Sequence, residues 1–123
     1  MSAALRFVAP PPGFAPHTEF ALEPVDGAEG LFAMSAADDT ALRVFLLDPR
    51  MVLDDYAPVI SDDQAEQIEL TDAADALVLV VANPSDAGVS VNLMAPVVVN
   101  TTTGRSSQVI LEDQDFPVRA TLL

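Results

Sequence analysis

The segment Asn92 to Asn100, "NLMAPVVVN", constrains the fold most strongly. It is apolar and rich in β-branched residues, which favours a strand. Yet Pro96 sits in its middle, and proline has no N–H to give a sheet ladder. In one straight strand Asn92, Pro96 and Asn100 would share a face and span about 26 Å, too far apart for one site. The segment therefore predicts a bend or sheet crossover at Ala95-Pro96, as at a barrel corner, with "VSVNL" and "PVVVN" as separate strands. The asparagines then read as strand-end and face-polarity markers rather than a catalytic pair.

The loop "TTTGRSS" follows. With Gly104 as the hairpin midpoint, Asn100 stands opposite Gln108, Val99 opposite Val109 and Val98 opposite Ile110. Asn100 and Gln108 would then exchange side-chain hydrogen bonds. A slip of one residue would break this pairing.

The rest of the chain repeats short strands with regular punctuation. Strands are expected at Leu5 to Val8, Thr18 to Val25, Leu31 to Ala36 and Ala41 to Leu47, with Asp38-Asp39 at a hairpin tip. "APPPGF", Asp26-Gly27 and Gly30 mark turns. "ALVLVVA", Ala76 to Ala82, reads as a strand buried on both faces, turned by Asn83-Pro84 and Asp86 to Gly88. "SQVIL", Ser107 to Leu111, and "FPVRATLL" complete the set. Between strands, Asp48-Pro49 signals a helix start, with Met51, Val52 and Tyr56 as its apolar stripe and Pro58 as its end. Ser61 to Gln64 has capping-box spacing and opens a second short helix. The expectation is a mostly β fold: a small antiparallel barrel-like or sandwich-like domain of about eight short strands, with a short helical pair inserted near residues 49–68. The 123 residues fit a single domain, 1–123.

Charge narrows the function. The chain carries a formal net charge of −14, with five arginines and no lysine. Direct nucleic-acid binding is not expected, because such binding draws on a basic patch that neutralises phosphates. An acidic surface steers towards a basic protein partner, although the same composition also serves solubility. There is no cysteine, hence no disulfide, thiolate zinc site or cysteine nucleophile. The single histidine, His17, reads as a solvated loop residue with no partner for a zinc site or triad. Asp38-Asp39, Asp54-Asp55 and Asp62-Asp63 are adjacent pairs whose side chains diverge, and "EDQD" (Glu112 to Asp115) lacks an EF-hand's glycine and distal glutamate. No enzyme activity, cofactor or metal is expected. Lacking a secretory signal or a long apolar span, the chain is expected in the cytoplasm, without membrane contact.

Taken in order, "PGF" (Pro12 to Phe14), "FAL" (Phe20 to Leu22), "FAMSA", "RVFLLDP", Asp55-Tyr56, "DALVLVVANP", "NLMAPVVVN", "SSQVIL" and "FPVRATLL" resemble the flagellar assembly factor FliW family across nearly the whole chain. The Asn92 to Asn100 segment with Gln108 downstream is the most specific part. The chain departs from the family pattern at Pro11-Pro12-Gly13-Phe14, where Leu-Pro-Gly-Phe is usual, and in lacking lysine. It stops soon after Arg119 and reads as a trimmed, divergent member. The resemblance implies a protein that binds the RNA-binding translational regulator CsrA, relieves its repression of flagellin synthesis, and is itself sequestered by flagellin. Asp54, Asp55, Tyr56, Asn92, Asn100 and Gln108 are the candidate partner-binding residues. For Tyr56, a partner anchor and a ring packed under the helices are both open. The alternatives are a flagellin-specific chaperone without regulator binding, and an acidic metal- or small-ligand-binding β-barrel.

Overall fold

The computed structural model describes residues 3–11, 13–51, 56, 58–85, 88–111 and 120–121. The strands are β1 (Ala3–Phe7), β2 (Glu19–Pro24), β3 (Leu31–Ala36), β4 (Asp39–Leu47), β5 (Ala76–Ser85), β6 (Gly88–Asn100), β7 (Arg105–Gln108) and β8 (Ala120–Thr121). Among the described residues, one α-helix, α1 (Asp62–Gln67), and two 3₁₀ turns, Pro49–Met51 and Ala73–Asp75, occupy the excursion between β4 and β5.

The strand order is β5-β4-β3-β2-β1-β7-β6-β8, and β5 also pairs with β6. That last pairing closes seven strands into a barrel, with β8 attached beside the first half of β6. The pairs are antiparallel except β1 with β7, which run parallel through Arg6↔Arg105 and Phe7↔Ser106. Ring closure explains the exception. Each antiparallel pair reverses direction, so an odd ring returns to its starting direction only with a parallel seam.

The barrel interior holds Leu5, Phe7, Phe20, Leu22, Met34, Leu46, Leu79, Val97 and Val99. Phe20 meets Phe7 and Phe14 edge-on at centroid distances of 5.3 and 5.4 Å, an arrangement favoured by the ring quadrupoles. Two further apolar clusters lie apart from this core. One gathers Leu47, Val80, Ala82, Val91 and Leu93, with Tyr56 packed on it. The other gathers Ile68, Val98, Val109 and Leu111, with Ile60 and Leu70. Alternate residues of β5 and β6 thus serve different clusters: Leu79 and Val97 face inward, while Val80 and Val98 meet the excursion. This is why "ALVLVVA" is a continuous apolar run instead of an alternating one.

Most of the first helix of the expected pair, residues 52–55 and 57, lies outside the described residues. At Asp48-Pro49 the described residues form only the three-residue turn Pro49–Met51, where an Asp48 oxygen accepts the Arg50 N–H at 3.0 Å. Val52, Asp54 and Asp55 lie outside the described residues. The second helix starts as expected. Ser61 Oγ accepts the Gln64 N–H, and Gln64 Oε1 accepts the Ser61 N–H, closing the capping box. Six residues are too few for a helix to hold on propensity alone. Ile68, fully buried just past its end, anchors it to the barrel wall. His17 is also not free in solvent: its Nδ1 lies 2.9 Å from Asp38 Oδ1, and its side chain is only 19% exposed.

Candidate functional site

The corner expected at Ala95-Pro96 is present as a bulge inside one strand, not as a junction of two. In the β5–β6 ladder Val81 faces Asn92 and Leu79 faces Val97, so Leu93, Met94, Ala95 and Pro96 stand against Val80 alone. A bulge strips backbone groups of ladder partners, and buried ones must find others.

Here the partners come from every side. The Tyr56 hydroxyl donates to the Leu93 carbonyl at 2.6 Å. On its other side β6 keeps the β7 register through the bulge, the Met94 and Pro96 carbonyls accepting from Leu111 N–H at 2.8 Å and Val109 N–H at 2.9 Å. Gln108 Nε2 donates to the Ala95 carbonyl at 3.0 Å. The Met94 N–H donates to Asn92 Oδ1, also at 3.0 Å. Tyr56, Asn92 and Gln108, three of the residues singled out in the sequence, thus converge on one bulge. Burial pushes the Tyr56 pKa up to about 12, so its hydroxyl keeps the proton it donates.

Asn100 works elsewhere. Its Nδ2 donates to the Ile68 and Glu69 carbonyls at 3.0 and 3.2 Å, satisfying carbonyls at the end of α1. Glu69 sits at φ 56°, a left-handed conformation uncommon for a residue with a Cβ, and this tether helps to hold it. Asn100 Oδ1 accepts the Thr102 N–H. The expected Asn100–Gln108 pairing is not formed. Gln108 stands opposite Val97, three residues from its expected partner, with Val98 opposite Ser107 and Val99 opposite Ser106. The cause is the loop: the Gly104 N–H closes onto the Asn100 carbonyl at 2.7 Å. Gly104 is therefore the loop's last residue and not its midpoint. Its φ of 83° and a Cβ position 2.6 Å from the Ala4 carbonyl oxygen demand glycine.

Two features were not anticipated. Asn83-Pro84 does not turn the chain; β5 runs through both residues to Ser85, pairing Asn83 with Ser90 and Pro84 with Val89. Asp48, nearly buried, accepts from the exposed Arg50 guanidinium at 2.8 to 3.3 Å. That hydrogen bonding holds its carboxyl below the usual value, against the opposing push of burial. Among the described residues, no group of three or more His, Cys, Asp or Glu side chains gathers as a metal site. Nor, among them, is any helix long and apolar enough to cross a membrane.

The bulge and the amides that support it lie among the residues that suggested a family. A sequence model of the family described as "FliW protein" matches residues 1–122. The chain belongs to the FliW family. It is similar to the flagellar assembly factor FliW of Syntrophus aciditrophicus (strain SB), at 30% identity over 113 residues, covering 90% of this chain and 72% of the relative. The Leptospira biflexa FliW is 29% identical over 115 residues, covering 90% and 74%. The fold matches a crystal structure of the flagellar assembly factor FliW with a TM-score of 0.89 at 25% identity, over 97% of this chain and 84% of that one.

Proposed function

We propose that this FliW-family chain, as a single cytoplasmic domain, binds and antagonises the RNA-binding regulator CsrA and is itself sequestered by flagellin. The reading is carried by the family match across residues 1–122. The charge supports it: an RNA-binding regulator presents basic surface, and a chain of net charge −14 is steered to it while repelling RNA nearby. Steering sets mainly the on-rate, so affinity also needs an apolar anchor.

Tyr56, with its sequence neighbours Asp54 and Asp55, remains the proposed anchor region. Its hydroxyl is engaged by Leu93, so a partner would use the ring. At Asn92, Asn100 and Gln108 a partner would compete with bonds these amides already make within the fold.

Separate pull-downs with CsrA and with flagellin, at low and high salt, test the proposal. The expected result is a complex with each, the CsrA complex weakening as salt rises. Capture of flagellin alone would favour an export chaperone without regulator binding. Capture of neither at any salt overturns the reading.

A further inference from the structure

One seam of the barrel opens part-way. The β4–β5 ladder consists of Phe45↔Ala82, Leu46↔Val81 and Leu47↔Val80. Continued, the same register would set Val44 opposite Asn83 and Arg43 opposite Pro84. Neither pair forms, and Pro84 has no N–H with which to extend a ladder. Strand β4 nevertheless begins at Asp39. Val44 and Arg43 face Met34 and Ser35 of β3. Asp39 faces Ala36 across a register shift that leaves Thr40 to Leu42 bulged, with the Ala41 N–H on Asp39 Oδ1 at 3.3 Å, and, among the described residues, no strand lies on the other side.

A cavity of about 490 Å³ lies where the strands part. Val44, Leu46 and Val81 give it apolar walls, and Asn83, Asn92 and Gln108 place neutral amides around it. No charged side chain lines it among the described residues. The charges lie outside: Asp38 and Asp39 are exposed where the open edge begins, and the Arg43 guanidinium sits over the Phe45 ring at 5.5 Å. An unpaired strand edge supplies main-chain hydrogen bonds in register, and an adjoining apolar cavity selects a side chain.

We propose that the open edge of β4, from Asp39 to Val44, takes an extended, lysine- or arginine-bearing segment of a partner protein as an added strand, with one apolar side chain seated in the cavity. The proposal rests on the protein-binding reading and adds where and how a partner docks. The chain's acidity and the carboxylates at the start of the edge select the basic segment; the uncharged cavity selects the apolar side chain.

The test uses the full chain and a short synthetic peptide alternating valine and lysine, with a valine–glutamate peptide as control. Amide hydrogen exchange is followed residue by residue, and affinity by titration. The valine–lysine peptide is expected to bind saturably, to slow exchange within Thr40–Val44, and to outcompete the control. Val44→Phe fills the cavity and Asn83→Lys places a cation at its rim; each is expected to weaken binding by about tenfold or more. Should Val44→Phe fail to fold, Asn83→Lys decides. Unchanged exchange at these amides, or unchanged affinity in the folded variants, overturns the proposal. So does a dimer of this chain that protects the same amides without peptide, or a small apolar molecule that enters the cavity where the peptide does not. The same amides are then followed with CsrA and with flagellin. Complexes that leave them unprotected remove the docking edge but keep the protein-binding reading. Peptide binding without either complex keeps the edge and removes those partners.

Discussion

Two prolines interrupt the same wall of the barrel, with opposite results. At Pro96 the β5–β6 ladder is broken by a bulge, and the Leu93 and Ala95 carbonyls are taken up by Tyr56 and Gln108, while those of Met94 and Pro96 continue the β6–β7 register to Leu111 and Val109. Ahead of Pro84 the β4–β5 ladder ends at Phe45↔Ala82, and a cavity lies where the strands separate. The first break is repaired by the fold itself. The second leaves a strand edge of the kind that proteins cover or use. Polar side chains at a sheet irregularity are therefore no sign of a binding site by themselves; at Pro96 they are the repair.

Breaking the repair has the largest expected effect. Tyr56→Phe and Gln108→Leu each leave a carbonyl of the bulge without its partner, at a cost of about 1–3 kcal/mol, read from denaturant midpoints. A loss below about half a kilocalorie in both would show that the bulge does not depend on these side chains. Asn100→Ala removes the two bonds at the end of α1 and is expected to cost about 1–2 kcal/mol, with faster amide exchange at Ile68 to Leu70.

At the open seam the expectation reverses. Asn83→Ala, at an exposed position, should stay within about 0.5 kcal/mol of the parent. A larger loss would make Asn83 part of the repair and erase the contrast.

pH sharpens the same comparison. Because the Tyr56 pKa is raised in the folded state, its contribution is complete below the ordinary tyrosine value near 10 and is lost as pH rises towards about 12. Tyr56→Phe should remove that alkaline loss, which a melting series across this range would reveal. Asp48 runs the other way: its lowered pKa stabilises the fold above the ordinary carboxylate value, and the gain is lost as acid protonates it. Smallest of all, millimolar calcium, magnesium or manganese should leave the melting temperature unchanged; a rise would revive the metal-binding alternative.

Much of this was legible in the chain because the signals are local. The β class follows from short apolar runs with turn residues between them. The capping box at Ser61 to Gln64 is a four-residue signature and forms as read. The irregularity at Pro96 follows from a missing N–H. Where the reading failed, the deciding partner was distant or the local signal was shared. Asp48-Pro49 opens a 3₁₀ turn as well as it opens a helix. Gly104 marks a left-handed residue but does not say where in its loop that residue falls, and a displacement of three residues moved Gln108 from Asn100 to Val97.

The sequence by itself determined the β class and most strand segments, though not the run of β5 through Asn83-Pro84 or the bounds of β7, and it determined where the long strand must buckle, where the helix is capped, and the family. Only the tertiary structure decided that seven strands close with one parallel seam, that Tyr56 reaches Leu93 across 37 residues, and that β4 and β5 part beyond Phe45 and Ala82. The physical reason is range. Backbone propensity and side-chain period act over a few residues, whereas ring closure, bulge repair and an open edge depend on which distant segments meet.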